Sequence, residues 1–353
     1  MKTVLLVDDS AVGHHLSYMR GIAGIDSDTI HLAALAPKGF EISEIEVFES
    51  RWAPVHRNFL RYGMWLREIH DTAVKINADI IHFVNADALR PFFGVGLELF
   101  TQATMGTFHN VQHSFIREAS LTRNLNGLDV ALVHARFLAT HFRYISDTSV
   151  KIVDYPSFEI EAADRENVFN DIGWGLDKGK LTIACLGATR MNKGIDILLR
   201  ALQRVDMPFN LLIAGQETGV SEALIRELSD SYEDSVYLHL SHLSENELVS
   251  AVWSADYLAL PYRKTHNGIS GPLALGVAAK KGIIGPDHGS LGTVITDNHL
   301  GYVFETEDIA SLANAINRAL VSKFEYDEVA NAYRNRLTVS NFRRNMLDLY
   351  ESL

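Results

Sequence analysis

The chain has 353 residues, of which 47% are hydrophobic and 22% charged, values that are ordinary for a globular protein large enough for two domains. Its formal net charge is -12, and neither the first 160 residues nor the remainder is basic. This balance excludes the basic body of a nucleic-acid binder and disfavours a strong electrostatic hold of the protein on anionic lipid.

The single cysteine, Cys185, lies in an apolar run, so the chain can form no internal disulfide. The first three residues lead directly into a predicted strand, and we therefore expect no signal peptide. No apolar stretch reaches the roughly 18 residues that a membrane span needs. These features favour a cytoplasmic protein with at most peripheral membrane contact.

Short apolar runs alternate with longer amphipathic stretches through the first half of the chain. The spacing of apolar residues predicts a helix between two of the runs, at 57–76. Strands are predicted at 3–7, 29–35, 80–84, 104–108, 130–133 and 151–153. Such alternation is typical of a parallel sheet with crossover helices on both faces.

The alternation stops between residues 156 and 180, where Pro156 and several glycines favour an inter-domain linker. It then resumes. Strands are predicted at 181–186, 210–214, 236–240, 257–260 and 282–284, and helices at 195–202, 222–228, 245–251, 273–280 and 309–320. We therefore expect an α/β protein with two doubly wound domains, which bind ligands at the carboxyl ends of their strands.

The first candidate ligand loop follows the strand at 3–7 and contains Asp8, Asp9, Gly13 and His14. Gly13 permits close approach of the backbone to a ligand, and the next helix N-terminus favours an anion. Paired acids after a strand also occur in response-regulator receiver domains. The aspartate near residue 55 and the lysine near residue 105 that such a domain needs are missing, and a plain structural turn is the remaining alternative.

The second candidate is His109, which follows the strand at 104–108. His113, His134 and His141 occur nearby in the sequence, but no H-E-x-x-H pattern accompanies them. A substrate contact is the favoured role for His109. Metal ligation and a structural or surface role stay open.

The third candidate loop, 187–194, joins a strand to an amphipathic helix and carries Gly187, Arg190 and Lys193. It lacks the glycine before the lysine and the serine or threonine after it that define a P-loop. Two cations, free backbone N–H groups and a helix dipole suit a diphosphate site that needs no magnesium. The alternative is a solvated loop with two surface cations.

The fourth candidate loop lies between the strand at 257–260 and the helix at 273–280. Gly268, Ser270 and Gly271 would present backbone N–H groups to an anion or a sugar hydroxyl. Near the C-terminus, Phe342 and Met346 begin a three- and four-residue apolar spacing that predicts an amphipathic helix over 341–353.

Taken in order, these segments resemble the GT-B glycosyltransferases, and specifically the retaining group called family 4. The resemblance is strongest from about residue 181 to residue 320. Residues 186–201 look like the donor-diphosphate loop, 211–215 like the next strand and glycine turn, and 255–261 like the strand before the donor-sugar loop. The N-terminal half is similar only through short segments.

The resemblance implies two Rossmann-like doubly wound domains that face each other across a cleft. The N-terminal, acceptor-side domain would span 1–160 and the nucleotide-sugar donor domain 161–335. A helix within 336–353 would cross back to the N-terminal domain, the alternative being a cap on the second domain alone.

By the same resemblance, Arg190 and Lys193 hold the donor diphosphate and offset charge on the leaving group, and His109 lies close to the transferred sugar. These three are the expected catalytic residues. The expected donor-binding residues are Gly13, His14, Gly187, Arg190, Lys193, Gly215, Asn267, Gly268, Ser270 and Gly271.

One departure from the family pattern affects the donor. The family usually carries two glutamates eight positions apart in the sugar loop, and this chain has Asn267 and Leu275 there. A subset of relatives has Ser-Gly in this loop, which Ser270 and Gly271 resemble. The identity of the donor is therefore open.

The implied function is retaining transfer of a hexose from a nucleoside diphosphate sugar, UDP- or GDP-linked, to a hydroxyl of a glycan, polysaccharide or lipid-linked acceptor. No cofactor and no metal is expected. Two alternatives stay open: a catalytically inactive nucleotide-sugar-binding subunit, and a nucleotide-sugar epimerase on the same fold.

Overall fold

A computed structural model describes residues 1–10, 14–55, 58–89, 92–110, 125–142, 149–158, 160, 173–266, 268, 270–321 and 323–353. The chain divides into two compact units. Unit 1 contains Met1–Asp154 together with Val339–Leu353, and unit 2 contains Tyr155–Thr338. Each unit is built on its own parallel sheet.

Unit 1 has a seven-stranded sheet. Its strands are β1 (Lys2–Val7), β2 (Ile30–Pro37), β3 (Glu46–Ser50), β4 (Ile80–Phe83), β5 (Ala103–Phe108), β6 (Val130–Val133) and β7 (Ser149–Ile152). They lie in the order β3-β2-β1-β4-β5-β6-β7, and all pairs are parallel. Its described helices before residue 154 are α1 (His14–Ala23), α2 (Phe59–Lys75) and the short α3 (Arg136–Ala139).

Unit 2 has a six-stranded sheet. Its strands are β8 (Leu181–Leu186), β9 (Phe209–Ala214), β10 (Val236–His239), β11 (Tyr257–Ala259), β12 (Gly282–Pro286) and β13 (Gly301–Phe304). Its helices are α4 (Ile195–Leu202), α5 (Glu222–Ser229), α6 (Glu245–Ser254), α7 (Gly271–Ala278), α8 (Gly289–Asp297), α9 (Ile309–Val321) and α10 (Glu328–Arg336). The strand order is β10-β9-β8-β11-β12-β13, again all parallel.

Both sheets have the doubly wound strand order, in which the first strand of the unit lies between the second and the fourth. The chain therefore reverses direction across the sheet beside β1 and β4 in unit 1, and beside β8 and β11 in unit 2. In open parallel sheets, ligands bind outside the carboxyl ends of the strands at such a switch point.

The strands of unit 2 are apolar on both faces because helices cover both sides of the sheet. In β8, Ile183 and Cys185 belong to the core on one face, whereas Ala184 and Leu186 belong to the core on the other. The two cores hold the ends of β8 in a fixed position, and the loop that follows Leu186 starts from that position.

The last helix, α11 (Val339–Ser352), packs on unit 1. The Phe342 ring lies edge-on to Tyr18 with centroids 5.4 Å apart, and the Tyr350 hydroxyl is 2.7 Å from Nδ1 of the buried His82. Arg343 Nε donates a hydrogen bond of 2.9 Å to the Gly21 carbonyl. These contacts bind the C-terminal segment to the N-terminal sheet through both apolar and polar groups.

The expected linker differs from the structure at its C-terminal end. Trp174 packs against a core of unit 2, and its Nε1 donates a hydrogen bond of 3.1 Å to Ser250 Oγ. Asn210 Nδ2 donates to the Asp177 carbonyl over 2.9 Å. Residues 173–180 therefore belong to the packed body of unit 2, although their glycines gave them the composition of a loop.

Candidate functional site

In unit 2, two glycine turns meet at the carboxyl ends of β8 and β9. Gly187 has a φ of 89° and Gly215 a φ of 144°, and a Cβ on Gly215 would lie 2.3 Å from the carbonyl carbon of Gly187. The backbones of the two turns therefore touch, and only glycine fits at this contact. The predicted residues Gly187 and Gly215 are thus neighbours in the structure.

Thr189 ties the loop after β8 to the loop after β9. Its Oγ1 donates to the Val220 carbonyl over 2.8 Å and accepts from the backbone N–H of Thr218 over 3.0 Å. The backbone N–H of Thr189 donates to Gln216 O. Both loops are therefore held rigid before any ligand binds, which lowers the entropy cost of binding.

Lys193 points into the protein rather than into solvent. It ends the short turn Met191–Lys193, and only 6% of its surface is exposed. Its Nζ donates a hydrogen bond of 2.7 Å to the Leu186 carbonyl. A Cβ on Gly187 would lie only 2.6 Å from this Nζ, so the glycine leaves the room that the ammonium occupies. The alternative of two solvated surface cations is therefore wrong for Lys193.

Burial, with a smaller contribution from the nearby charge of Arg190, lowers the pKa of Lys193 to about 8, and Cys185 acts in the opposite direction. Among the described residues, no carboxylate lies within ion-pair distance of Nζ, and the nearest π face is that of Tyr262, with its centroid 5.9 Å away. At pH 7 the side chain is therefore mainly a buried ammonium without a counter-charge. Such a group is a ready partner for an anion.

Arg190 is exposed and opens the turn that Lys193 ends. Arg263, from the loop after β11, holds the same turn by donating to Met191 O over 3.0 Å and by pairing with Asp196 over 2.6 Å. The turn therefore exposes the Arg190 side chain to solvent and directs the Lys193 side chain into the protein. Both cations lie beside the N-terminus of α4.

The loop after β11 places a tyrosine between the lysine and the glycine- and serine-rich segment. The buried Tyr262 hydroxyl is 3.1 Å from Ser270 Oγ, and Ser270 caps α7 by accepting from the Leu273 N–H. Gly268 and Ser270 are buried at the start of α7, whereas a side chain on Gly271 would meet open space. Asn267 lies outside the described residues, and Leu275 is buried in the apolar core.

In unit 1, polar side chains gather at the carboxyl ends of β1 and β4. Asp8 is buried, and its carboxylate oxygens are 3.0 Å from Nδ1 of His15. Asn85 Nδ2 is 2.8 Å from the ring nitrogens of His15. Burial acts to lower the pKa of His15, but the hydrogen bond and charge of Asp8, with Asp9 and Asp87, raise it above the ordinary value.

His109 follows β5 and is a packed, neutral side chain. Its Nε2 donates to Val84 O over 3.0 Å, and its backbone N–H donates to Asp87 Oδ1 over 3.0 Å. Burial is the largest cause of its lowered pKa. The Tyr18 ring lies edge-on at 4.9 Å, and the His134 ring lies 5.0 Å away, between centroids.

Several predicted positions cannot be placed. Gly13 and His113 lie outside the described residues, and nothing is described of the side chains of His14 and His141. Within the part of the chain that the structure describes, no group of three or more His, Cys, Asp or Glu side chains could hold a metal ion.

The structure therefore brings together Gly187, Lys193 and Gly215 in unit 2, with Ser270 linked to them through Tyr262. His109 belongs to the other unit. His15 and Tyr262 are among the residues of these clusters that were not predicted as site residues. His15 follows the predicted His14 directly. Asp8 comes just after the end of β1 and His15 is in the first turn of α1, and this placement could have indicated that the two side chains pair. Tyr262 follows a predicted strand, but its role depends on packing that sequence spacing does not show.

The fold is that of the GT-B glycosyltransferases. Sucrose-phosphate synthase from Thermosynechococcus elongatus has a TM-score of 0.74 at 16% identity, over 100% of this chain and 99% of that one. HepE from Anabaena in complex with UDP also has a TM-score of 0.74 at 16% identity, over 100% of both chains. The lipopolysaccharide outer core galactosyltransferase WaaB has a TM-score of 0.72 at 12% identity, again over 100% of both.

Residues 180–322 match the family model described as glycosyl transferases group 1. This range begins one residue before β8 and ends one residue after α9, so it contains the entire sheet of unit 2 and its glycine turns. A comparison with curated protein sequences found no match.

Proposed function

We propose that the chain is a glycosyltransferase that moves a hexose from a nucleoside diphosphate sugar to an acceptor hydroxyl with retention of configuration and without a metal ion. The observation that carries the proposal is the buried ammonium of Lys193 at the switch point of unit 2, inside the segment that matches group 1 glycosyl transferases. A buried cation with no carboxylate partner is costly unless a ligand supplies the counter-charge.

The donor diphosphate is the anion that this site would take. Lys193 would neutralise a phosphate oxygen from the protein interior, and Arg190 would contact the diphosphate from the solvent side. The N-terminus of α4 would add its partial positive charge. Two cations can offset the charge of a departing nucleoside diphosphate, which is the role that divalent metals have in other transferases. We therefore propose metal-independent transfer.

Transfer would break the bond between the anomeric carbon and the diphosphate oxygen and form a bond from that carbon to the acceptor oxygen. The acceptor proton would pass to the departing phosphate on the same face of the sugar, so that configuration is retained. Catalysis would then depend on positioning and charge stabilisation rather than on a protein nucleophile. His109, neutral and held by Val84 and Asp87, is the proposed contact of unit 1 with the sugar.

UDP-glucose is the first donor to test, because HepE, which shares this fold, has been solved with UDP and with UDP-glucose. That evidence concerns HepE, whose identity to this chain is low. UDP-galactose, GDP-linked and ADP-linked hexoses complete the panel. Proposed acceptors are hydroxyls of a glycan or a lipid-linked sugar.

A catalytically inactive nucleotide-sugar-binding subunit is the second candidate, and one observation favours it. The second glutamate position of the family is occupied by Leu275, whose side chain is 5% exposed and packs in the apolar core. No carboxylate at that position can contact the donor. Binding without turnover would identify this second function.

The test has a binding arm and a turnover arm. In a thermal-shift screen with excess chelator, one nucleoside diphosphate should raise the melting temperature, since a ligand at a hundredfold excess over Kd adds about 2.7 kcal/mol of stability. Arg190→Ala and Lys193→Ala should each weaken donor use by roughly 1.5–3 kcal/mol. Normal donor binding by both variants, or activity that is lost in chelator and restored by magnesium or manganese, would refute the proposed site.

A further inference from the structure

Tyr18, on α1, packs against the ring of His109, the proposed contact of unit 1 with the sugar. The two ring centroids lie 4.9 Å apart and the ring planes are inclined at 86°, so the rings meet edge to face. The ring of His134 lies 5.4 Å from that of Tyr18 and 5.0 Å from that of His109. All three side chains are buried, so the His109 ring cannot turn without displacing its neighbours.

Hydrogen bonds alone do not fix the orientation of the His109 ring. Its Nε2 donates to the Val84 carbonyl over 3.0 Å, and the other bond given to the residue, to Asp87, comes from the backbone N–H. Because a carbonyl oxygen only accepts, Nε2 carries the proton, and the neutral ring then offers Nδ1 as an acceptor. One bond at Nε2 still lets the ring rock about that bond. The direction of Nδ1 therefore depends on ring contacts such as that of Tyr18.

Tyr18 is in turn held by the C-terminal helix, α11. The ring of Phe342, which is 1% exposed, lies 5.4 Å from that of Tyr18 at an angle of 65°. Arg343 Nε donates a hydrogen bond of 2.9 Å to the carbonyl of Gly21, which follows Tyr18 on α1 by three residues. An aromatic contact and a polar contact thus fix α11 against the same stretch of α1. The position of Tyr18 therefore depends on a helix at the other end of the chain.

A second path of contacts joins α11 to the strand that precedes His109. The Tyr350 hydroxyl is 2.7 Å from Nδ1 of His82, and Nε2 of His82 is 2.7 Å from Oγ1 of Thr107. Burial lowers the pKa of His82 to about 3, so its neutral ring bonds one hydroxyl as a donor and the other as an acceptor. Thr107 lies on β5, two residues before His109. Helix α11 therefore supports the end of β5 as well as Tyr18.

We propose that Tyr18 is a positioning residue for sugar recognition: it holds the His109 ring in the orientation that contacts the hexose, and α11 holds Tyr18. The inference rests on the proposed function, in which His109 contacts the sugar. Ordinary core packing predicts only a loss of stability when the Tyr18 ring is removed. Positioning predicts in addition weaker recognition of the hexose with unchanged recognition of the nucleotide, because the buried lysine of the diphosphate site belongs to unit 2.

The test uses the purified full chain, none of whose described helices is long and apolar enough to span a membrane. Calorimetric titration with UDP and with UDP-glucose, or with the GDP or ADP pair if the wild type binds that nucleotide instead, gives a ratio of two affinities. The ratio isolates the contribution of the hexose, and His109→Ala is the reference for its loss. In parallel, ¹H–¹⁵N spectra of the ligand-free, histidine-labelled protein follow the Nε2–H of His109, whose signal is assigned by its absence from His109→Ala.

Tyr18→Leu should lower the ratio of sugar-nucleotide to nucleotide affinity about threefold to tenfold, as expected for one neutral hydrogen bond, and should leave nucleotide affinity unchanged. It should also broaden or remove the His109 Nε2–H signal, because the ring gains freedom to turn. Tyr18→Phe keeps the aromatic ring and should preserve both the ratio and the signal. Phe342→Leu acts one contact further away and should change both in the same direction by a smaller factor. It provides the test if Tyr18→Leu does not fold.

Tyr62→Leu is the matched control. Tyr62 is also a tyrosine of unit 1 that is 1% exposed on a helix, α2, and its described ring contacts are with Trp65 and Phe92. The control should lower the melting temperature, as Tyr18→Leu does, with an unchanged ratio and His109 signal. Equal effects of the two substitutions on the ratio, or an unchanged ratio and signal in Tyr18→Leu, would overturn the inference.

The proposed function and the inference fail in different ways. If His109→Ala leaves the affinity ratio unchanged, the proposed contact of His109 with the sugar is wrong. The His109 signal in Tyr18→Leu then still decides whether Tyr18 orients the ring. If His109→Ala lowers the ratio and Tyr18→Leu does not, the sugar contact is retained and the positioning role of Tyr18 is refuted.

Discussion

The buried ammonium makes an unusual prediction for Lys193→Met: the variant should fold more stably than the wild type and bind the donor less well. Methionine keeps the unbranched shape of the side chain and removes its charge. The wild-type protein keeps that charge in a site from which water is largely excluded. If the charge serves a ligand, then stability and binding must change in opposite directions.

The magnitude follows from the pKa. The difference between the ordinary value of 10.5 and the value of about 8 amounts to about 3 kcal/mol that the folded state loses by keeping Lys193 protonated. Loss of the hydrogen bond to the Leu186 carbonyl subtracts about 1 kcal/mol. We therefore expect Lys193→Met to raise the free energy of unfolding at pH 7 by about 2 kcal/mol.

The sign of the pH dependence is also fixed. Because the folded protein holds the Lys193 proton less tightly than the unfolded chain, wild-type stability should rise with pH between about 8 and 10.5. Below pH 8 the penalty is fully present. Lys193→Met should lack this contribution, so the stability difference between the two proteins should shrink as pH increases through that window.

The assay is urea unfolding at pH 7 and pH 10, together with nucleotide titration at pH 7. Lys281→Met is the matched control, because Lys281 is also a partly buried lysine of unit 2 whose Nζ donates to a carbonyl, that of Trp253. It should leave nucleotide binding unchanged. A Lys193→Met protein that is less stable than the wild type, or that binds nucleotide equally well, would refute the reasoning.

Three further predictions concern the supports of the two sites. Gly215→Ala should lower the free energy of unfolding by about 2–4 kcal/mol in urea, because its Cβ would lie 2.3 Å from the facing turn at a strained φ. Gly271→Ala is the control and should be near neutral, because a Cβ there meets open space. Equal effects of the two substitutions would contradict the contact between the turns. Tyr350→Phe should cost about 1–3 kcal/mol by leaving a buried histidine nitrogen without its partner, and unchanged melting would count against that bond. By NMR titration, His15 should have a pKa above 6.5, and Asp8→Asn should lower that pKa. The ion pair of protonated His15 with Asp8 should add its full stability below pH 6.5, and this stability should be lost as pH rises through the raised pKa.

Much of the fold follows from local pattern because strands buried on both faces are continuous apolar runs. The strand predicted at 181–186 is observed with the same bounds, and so is the one at 130–133. Strand β3 was not predicted, since it is an edge strand with two exposed glutamates and only one fully buried residue. Helices α8 and α10 were missed because one begins in a glycine-rich loop and the other is largely polar.

The parts of the candidate site that depend on turn residues next to a strand could be predicted from the sequence. The parts that depend on how side chains pack could not. Gly187 and Gly215 follow apolar strands, so their turns could be located from sequence. The inward direction of Lys193 could not, because it depends on the room that Gly187 leaves and on a carbonyl seven residues back.

The central claim is that Lys193 binds the diphosphate of a nucleotide sugar, and proton uptake on binding tests it most directly. At pH 8 the free side chain is about half protonated, and a bound diphosphate would restore its full charge. Isothermal titration of the wild type with UDP, GDP and ADP, in chelator and in two buffers of different ionisation enthalpy, measures that uptake. The account predicts that one nucleotide binds with uptake of up to about half a proton, and that Lys193→Met shows none. Binding without proton uptake, or no binding of any of the three, would contradict it.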